Sequence, residues 1–415
     1  MVINRRQILV KYLGLLPFLL NIAVFTFYSF RGLATILYAI LILLYLFSGR
    51  SCDKHGDIIK CYLIPPIFVY SFSLVFHDSL PNKGILFGLL LYSSILLRTS
   101  RNDQKMAFEF FLDCTCLLLL LSIVEFVLVE LFGIGLLLGH VVRVEEAVFD
   151  RATYFNHYIF NIIKDDVMVR FQSIMEEPGN VGTLCGFLLF VIGNNARYSR
   201  QFYIVLIAGF LSLSMAFFAL FALFFISNIE LKKKKMILII SIIIICGIFF
   251  FGEQFESKIV LRLQSENLDD RSNVYFDHQL YLFVKEHGIP FFFGNGAGAT
   301  NSIDIGRGVV GAKRELFDYG VIGCVLLFLS SFFAFFKYNG ISKRSVLFFI
   351  AFWLSWYQRA DIFNPTNILL FFNVLNTDRS VSPYGRHNFV DGKGGGKATF
   401  GLNHGCCIDG ITCQK

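Results

Sequence analysis

Four polar clusters interrupt an otherwise apolar chain, and each has residue types suited to holding a phosphate or accepting a proton from a hydroxyl. The first reads Arg170-Phe-Gln-Ser-Ile-Met-Glu176-Glu177-Pro178-Gly179-Asn180-Val-Gly182. Pro178 and Gly179 suit the start of a helix, whose first backbone N–H groups lack intrahelical partners and attract anions. Arg170 can give a phosphate a two-pronged hydrogen bond. Glu176 or Glu177 can accept a proton from a hydroxyl, and Asn180 adds an amide at the mouth of the helix. An ordinary helix start, with acids complementing the dipole of the first turn, accounts for the same residues.

The second cluster is Asp269-Asp270-Arg271-Ser272, followed by Phe293-Gly294-Asn295-Gly296-Ala-Gly298-Ala-Thr300. A glycine-rich stretch of this kind can expose backbone amides to a phosphate, with Asn295 and Gly296 at its centre. It is not a dinucleotide fingerprint, because no strand–helix unit surrounds it. The alternative is a plain loop. The third is Lys313-Arg314-Glu315-Leu-Phe-Asp318-Tyr-Gly320, which puts Arg314 and Asp318 four residues apart on one helix face, as an interfacial ion pair would also do. The fourth is Arg359-Ala-Asp361, a cation on a short loop where orientation rules disfavour one. Glu125 stands inside an apolar run, which marks it for function by default, while Glu130 reaches the end of that run. The helix expected over 256–266 has the alternating charges of a solvated face. Cys406, Cys407, Cys413 and His404 share the last dozen residues but meet no familiar metal-ligand spacing, so no metal is expected.

These clusters need a scaffold, and composition defines it. The chain has 415 residues, of which 55% are hydrophobic and 16% charged. Soluble domains carry roughly 25% charged residues. The apolar residues come in blocks near 12–30, 33–49, 61–76, 84–97, 107–138, 179–193, 202–228, 236–252, 316–336, 345–357 and 366–376. The expected fold is therefore an all-α polytopic membrane protein of about 11–12 transmembrane helices. No internal repeat is visible. The net charge of +7 sits in short runs between blocks, a pattern that orients spans rather than one that binds nucleic acid. Six cysteines, Cys61, Cys114, Cys116, Cys185, Cys246 and Cys324, fall in or beside apolar blocks, where a thiol behaves as a small hydrophobe.

Basic residues set the orientation. Arg5, Arg6 and Lys11 place the N-terminus in the cytoplasm, before a retained first span with no cleavage site. Residues 139–178 and 253–315 become two long extracytoplasmic loops, and the C-terminus returns to the cytoplasm. Residues 1–376 form the membrane domain, and 377–415 a glycine-rich tail expected to lack order. One block breaks the alternation: 202–228 separates Arg197 and Arg200 from Lys232–Lys235, and both groups belong inside. The block is therefore expected to enter and return, breaking near Leu211-Ser-Leu-Ser-Met215, where serine hydroxyls can satisfy freed backbone groups.

In order and spacing, Arg170-x-x-Ser173-x-x-x-Glu177-Pro178-x-x-x-Gly182, then Arg271-Ser272 with Gly294-Asn-Gly296-Ala-Gly298, then Glu315-Leu-Phe-Asp318-Tyr-Gly320-Val-Ile-Gly323 resemble the O-antigen polymerase and ligase superfamily over residues 165–336. The resemblance implies a metal-independent glycosyl transfer without cofactor, at the outer face of a bacterial inner membrane. A growing glycan would pass from undecaprenyl diphosphate to an incoming lipid-linked repeat unit. Partners would be those lipid-linked glycans, the membrane lipid and a chain-length regulator. It further implies that Arg170 and Arg271, and with them Arg314, hold the diphosphates; the general base it leaves unassigned, and Glu177 is the residue taken for that role here. Asn180, Asn295, Gly296, Asp318 and Arg359 would line the substrate. Ligase members carry a His-Asn pair before the last motif, whereas this chain reads Val309-Val-Gly-Ala-Lys313, which favours a polymerase. The alternative is a flippase for the same lipid-linked sugars, a class whose members show internal repeats and buried charges.

Overall fold

The computed structural model describes residues 5–15, 36–37, 39–40, 42–44, 64–69, 71–72, 101–144, 152–164, 169–175, 177–193, 195–227, 274–286, 288–296, 298–302, 311–358 and 365–374. Among these the protein is mostly helical. After α1 (Arg5–Leu13) come α2 (Arg101–Phe132), strands β1 (Gly139–Val144), β2 (Ala152–His157) and β3 (Ile162–Lys164), then α3 (Pro178–Ile192), α4 (Ser199–Leu211) and α5 (Met215–Ser227). The C-terminal half contributes α6 (Val274–Glu286), α7 (Ile289–Phe293), α8 (Ala299–Ser302), α9 (Gly311–Asn339), α10 (Lys343–Gln358) and α11 (Pro365–Phe371).

Two helices are long and apolar enough to cross a membrane, over Asn102–Phe132 and Gly311–Lys337. The first, 31 residues at ~1.5 Å each, exceeds the roughly 30 Å of a bilayer's hydrocarbon core. It is two-faced. Phe108, Phe111, Leu112, Thr115, Leu119, Ser122 and Phe126 point inward at three- and four-residue intervals. Leu117, Leu131 and Phe132 are 60%, 65% and 65% exposed, so the outward face is apolar as well. Where Thr115 occurs on the buried stripe its hydroxyl donates to Phe111 O at 2.7 Å, within the helix.

The expectation of an all-α fold is corrected by the three-stranded antiparallel sheet β1-β2-β3. It occupies the segment read from sequence as a plain loop. Gly139 opposes His157, and His157 in turn opposes Ile162. Val141, Phe155 and Ile162 bury a small apolar cluster on one side. Valines and aromatics at those positions suit a pleated surface, and this is why the segment pairs rather than staying open. The helix expected over 107–138 also ends earlier, at Phe132. Gly133, at φ 65°, turns the chain out of α2 and donates to Val129 O.

The centre of the fold is α3. Its residues Val181, Gly182 and Leu184–Ile192 are buried, so the helix is enclosed on all sides. Helix α4 follows after a short turn at Ala196–Tyr198 and runs back along it. The break expected near Leu211–Met215 is present: α4 ends at Leu211 and α5 begins at Met215. Phe210 lies 5.0 Å from Phe217, and Phe202 lies 6.1 Å from Phe224, so α4 and α5 fold on each other as a tight antiparallel hairpin. Leu213, at φ 46°, makes the reversal. Each arm has 13 residues, about 20 Å of helix and well short of a bilayer.

Helix α5 then runs parallel to α3. Gly182 faces Ser212 and Ser214, Gly186 faces Leu220, and the Phe190 and Phe224 rings meet edge-on at 5.7 Å. Glycines four apart let the two backbones approach closely, a device common where helices pack in lipid. At the other end of α3, Arg344 of α10 donates to the Phe190 and Val191 carbonyls. A guanidinium there satisfies oxygens that the helix end leaves without partners. Cys114, Cys116, Cys185 and Cys324 are free thiols.

Candidate functional site

The segment Val169–Asn180 joins the sheet to α3, and hydrogen bonds fix it on three sides. Against the hairpin, Phe171 N donates to Leu211 O at 3.2 Å. Arg170 donates from Nε to Ser212 O at 3.3 Å and from Nη2 to Leu213 O at 3.1 Å. These are the carbonyls at the end of α4, where the helix dipole is negative and a cation is favoured. Arg170 is half-buried there. Against α2, the Phe171 ring meets Phe126 edge-on at 5.5 Å. The Ser173 and Ser122 hydroxyls lie 2.7 Å apart, and Ser122 Oγ donates to Phe160 O at 2.8 Å. Ser122 has one O–H, already given to Phe160, so Ser173 is the donor between the two serines. Against the sheet, Ile162 N donates to Ser173 O at 2.8 Å.

Ser173 holds φ 54°. A non-glycine residue in the left-handed region costs on the order of 1 kcal/mol or more, and persists only where the surroundings impose it. Here the constraints are its three neighbours: α2, β3 and the hairpin tip.

Glu125 of α2, marked in the sequence as an intramembrane acid, caps the turn between β2 and β3. It accepts from Ile159 N at 3.0 Å, Phe160 N at 2.7 Å and Asn161 Nδ2 at 3.1 Å. Asn161 Nδ2 also donates to Ser122 O at 2.8 Å. These bonds give Glu125 a structural role. His157, beside this turn, is pushed below the usual histidine pKa by burial, against the opposing pull of the Glu125 charge.

The segment ends at the mouth of α3. Glu177 is exposed, with extended backbone at φ −143° and ψ 146°, and its side chain makes no bond to the first turn of the helix. Pro178 opens the helix. Asn180 N donates to Glu177 O at 3.0 Å. Arg170, Glu177 and Asn180 therefore belong to one short segment set against the hairpin tip. Ser122, Asn161 and Gln172 complete its surroundings. They carry no sequence signal of their own, since only the fold brings α2 and the β2–β3 turn to this segment.

The glycine-rich stretch and the third polar cluster form a second unit. Asp318 is buried and accepts from Gly298 N at 3.1 Å, Thr300 N at 3.0 Å and Thr300 Oγ1 at 3.3 Å. Arg314 Nε lies 3.6 Å from Asp318 Oδ2, one helical turn away. Asn295 N donates to Phe317 O at 3.0 Å, and Gly296 N to Asp318 O at 2.9 Å. The amides that sequence offered to a phosphate are thus engaged inside the protein, wrapping the loop around Asp318. Gly320 interrupts α9 at φ 67°, and a side chain there would run into the backbone of Phe292 and Gly294, as one at Gly294 would into that of Asp318 and Tyr319. Phe317 packs on Phe276 and Phe283 of α6, and Lys313 bonds Asp277 at 3.0 Å. Asn295, Gly296, Arg314 and Asp318 are therefore together, on elements other than those that carry Arg170 and Glu177.

Arg271, Arg359, Glu176, the 256–266 helix and the tail from 377 lie outside the described residues. Among the described residues no group of three or more His, Cys, Asp or Glu could hold a metal ion. No protein-family model matches the chain, and no curated protein matches it.

Proposed function

We propose that this chain is a polytopic enzyme of the bacterial inner membrane that polymerises undecaprenyl-diphosphate-linked oligosaccharide repeat units at the outer face. The observation that carries the reading is the Arg170–Asn180 segment: a cation, an exposed carboxylate and an uncapped helix start, held on one strained stretch at one end of an apolar helical core. The apolar outward faces of α2 and α9 suit lipid, and a hairpin arm of about 20 Å suits a re-entrant pair whose ends stay on one side. In this reading the N-terminus is cytoplasmic and the mouth of α3 opens towards the outer face, with the hairpin tip packed beside it.

The chemistry then proceeds without metal. A hydroxyl of the incoming lipid-linked sugar attacks the anomeric carbon of the growing glycan. Its proton passes to the Glu177 carboxylate as the C–O bond to the carrier diphosphate breaks. Charge builds on the leaving diphosphate, and fixed cations stabilise it. Arg170 supplies positive charge beside the mouth while anchored to Ser212 and Leu213. Arg271 and Arg314, by the sequence resemblance, hold the diphosphates. Asn180, Asn295, Gly296, Asp318 and Arg359 line or shape the substrate path.

Deletion of the gene in its host, with surface polysaccharide displayed by size, tests this. Loss of the ladder with single repeat units still present on the outer face is the expected result. Disappearance of every outer-face repeat unit would make the protein a flippase, and an unaltered ladder would end the proposal.

A further inference from the structure

Helix α9 changes character at Gly320, where φ 67° kinks it. Lys313, Arg314, Glu315 and Asp318 all precede the kink, and residues 321–336 carry no charged side chain. At ~1.5 Å per residue that run spans about 24 Å, most of the roughly 30 Å of a bilayer's hydrocarbon core. Lys337 follows it. Ile322, Val325, Leu329 and Phe333 along the run are exposed. With α9 across a bilayer, Gly320 therefore marks one edge of the apolar layer.

Helix α7 sits at that edge. A Cβ added to Gly320 would lie 2.5 Å from Phe292 C and O, so the end of α7 presses on the kink itself. All five residues of α7 are apolar, and none is buried. Ile289 is 78% exposed, Phe292 44% and Phe293 41%. The helix is nonetheless held in place: Phe291 lies 6.2 Å from Phe283 of α6, and Phe293 stacks on Phe72 at 5.2 Å. Its backbone also suits an apolar medium. Pro290 has no N–H, while Phe291 N donates to Gly288 O at 3.0 Å and Gly294 N to Pro290 O at 2.6 Å.

A fixed apolar surface of this kind meets either lipid or protein. Its level decides between them. It stands where the charged part of α9 gives way to the apolar part. The end of α6 just before it has residue types that collect at membrane interfaces: Tyr281 is 60% exposed, and Lys285 Nζ lies 5.9 Å from the centroid of that ring.

We propose that α7 is an interfacial anchor, with Ile289, Phe292 and Phe293 seated among phospholipid chains just beneath the headgroups of the nearer leaflet. Through Phe292 at Gly320, and through Asn295 N and Gly296 N on the Phe317 and Asp318 carbonyls, it ties the loop wound around Asp318 to the membrane surface. The proposal rests on α9 crossing the bilayer and is independent of the polymerase activity.

The test uses the full chain with Trp353→Phe and Trp356→Phe, so that Ile289→Trp supplies its one fluorophore, in phosphatidylcholine vesicles. Bromines on the acyl chains, placed near the glycerol or near the chain end, quench a tryptophan at their own depth. An interfacial helix buries its apolar face only ~5–10 Å, so Ile289→Trp is quenched about twofold more strongly by the shallow bromines than by the deep ones. Aqueous iodide quenches it weakly. Leu329→Trp in the same background reports on α9 and is quenched chiefly by the deep bromines. Phe292→Trp repeats the measurement where Ile289→Trp does not fold. Strong quenching by iodide with none by lipid would leave α7 in water and end the proposal. Shielding from both would mean that protein covers it, a second copy or another part of this chain, and would end it equally. Should Leu329→Trp also escape every brominated lipid, α9 does not lie in the bilayer, and the membrane reading fails with it.

Discussion

Gly186 and Leu220 set the distance between α3 and α5: a Cβ added to the glycine would lie 2.6 Å from Leu220 Cδ1. One turn earlier a Cβ on Gly182 would lie 2.8 Å from Ser212 Oγ. The pair holds the hairpin against the enclosed central helix. Gly186→Leu forces overpacking there, which typically costs about 1–3 kcal/mol, and is expected to lower the melting temperature of the detergent-solubilised protein by several degrees. A melting temperature equal to wild type would show that α3 and α5 are not packed this closely.

The scaffold was legible where chemistry left periodic marks. The break between Arg200 and Lys232 follows from counting basic runs, because a single crossing would strand four lysines on the wrong side. The serines at 212 and 214 gave its position. The sheet was missed because Val141, Val142 and Val144 sit among glycine, histidine and arginine in a stretch that hydropathy alone assigns to a loop. Gly182 and Gly186 stand four apart in the sequence, but the helix they pack against is a feature of the hairpin and not of the local sequence.

The site was only half readable. Arg170, Ser173 and Glu177 could be singled out by type and spacing. That Arg170 spends two donors on the end of α4 depends on a hairpin tip some 40 residues away, and no local pattern announces it. The glycine-rich loop shows the same limit. Its free amides were a fair inference from Gly294, Gly296 and Gly298, yet the acceptors that use them are Phe317 and Asp318 on another helix.

Arg170 anchors the hairpin tip through two bonds from a charged donor, each of a kind worth about 1.5–3 kcal/mol in favourable settings. Its half-exposed position reduces that, so Arg170→Ala is expected to cost about 2 kcal/mol in stability. Amide exchange at Ser212–Ser214 should accelerate while exchange near Arg344 stays unchanged. Arg170→Lys keeps the charge but not the two-pronged geometry and should recover part of the loss. Uniform acceleration across α3 and α4 would instead mean that the arginine supports the whole bundle.

His157 makes the sheet acid-sensitive. Its folded pKa lies below the 6.5 of a free histidine, because burial disfavours the charged ring. The unfolded chain therefore takes up the proton first as pH falls. The contribution of neutral His157 is fully present above pH 6.5 and declines as pH drops towards the folded value. Amide exchange at Leu138, whose N–H donates to His157 O at 2.8 Å, should quicken on acidification. In His157→Gln, which has no ring to charge, the added acid sensitivity should vanish. If wild type and variant respond to acid alike, a different group is responsible.

Asp318 is the post around which the glycine-rich loop is wound. Its two oxygens accept from Gly298 N, Thr300 N and Thr300 Oγ1 while Arg314 balances the charge. Asp318→Asn replaces one accepting oxygen by an NH2 that must point at a donor, so at least one backbone N–H loses its partner in a buried place. A single buried donor left unpaired costs about 1–3 kcal/mol. The loss should be local, since the rest of α9 is held by Phe317 on α6 and by its own ladder. Limited proteolysis is expected to cut Asp318→Asn within residues 294–302 at protease levels that leave the wild type whole. Asp318→Glu, which keeps the charge but overreaches the amides, should be cut there too. Protection of that stretch in both variants would show that the backbone contact between Gly294 and Gly320 holds the loop without the carboxylate.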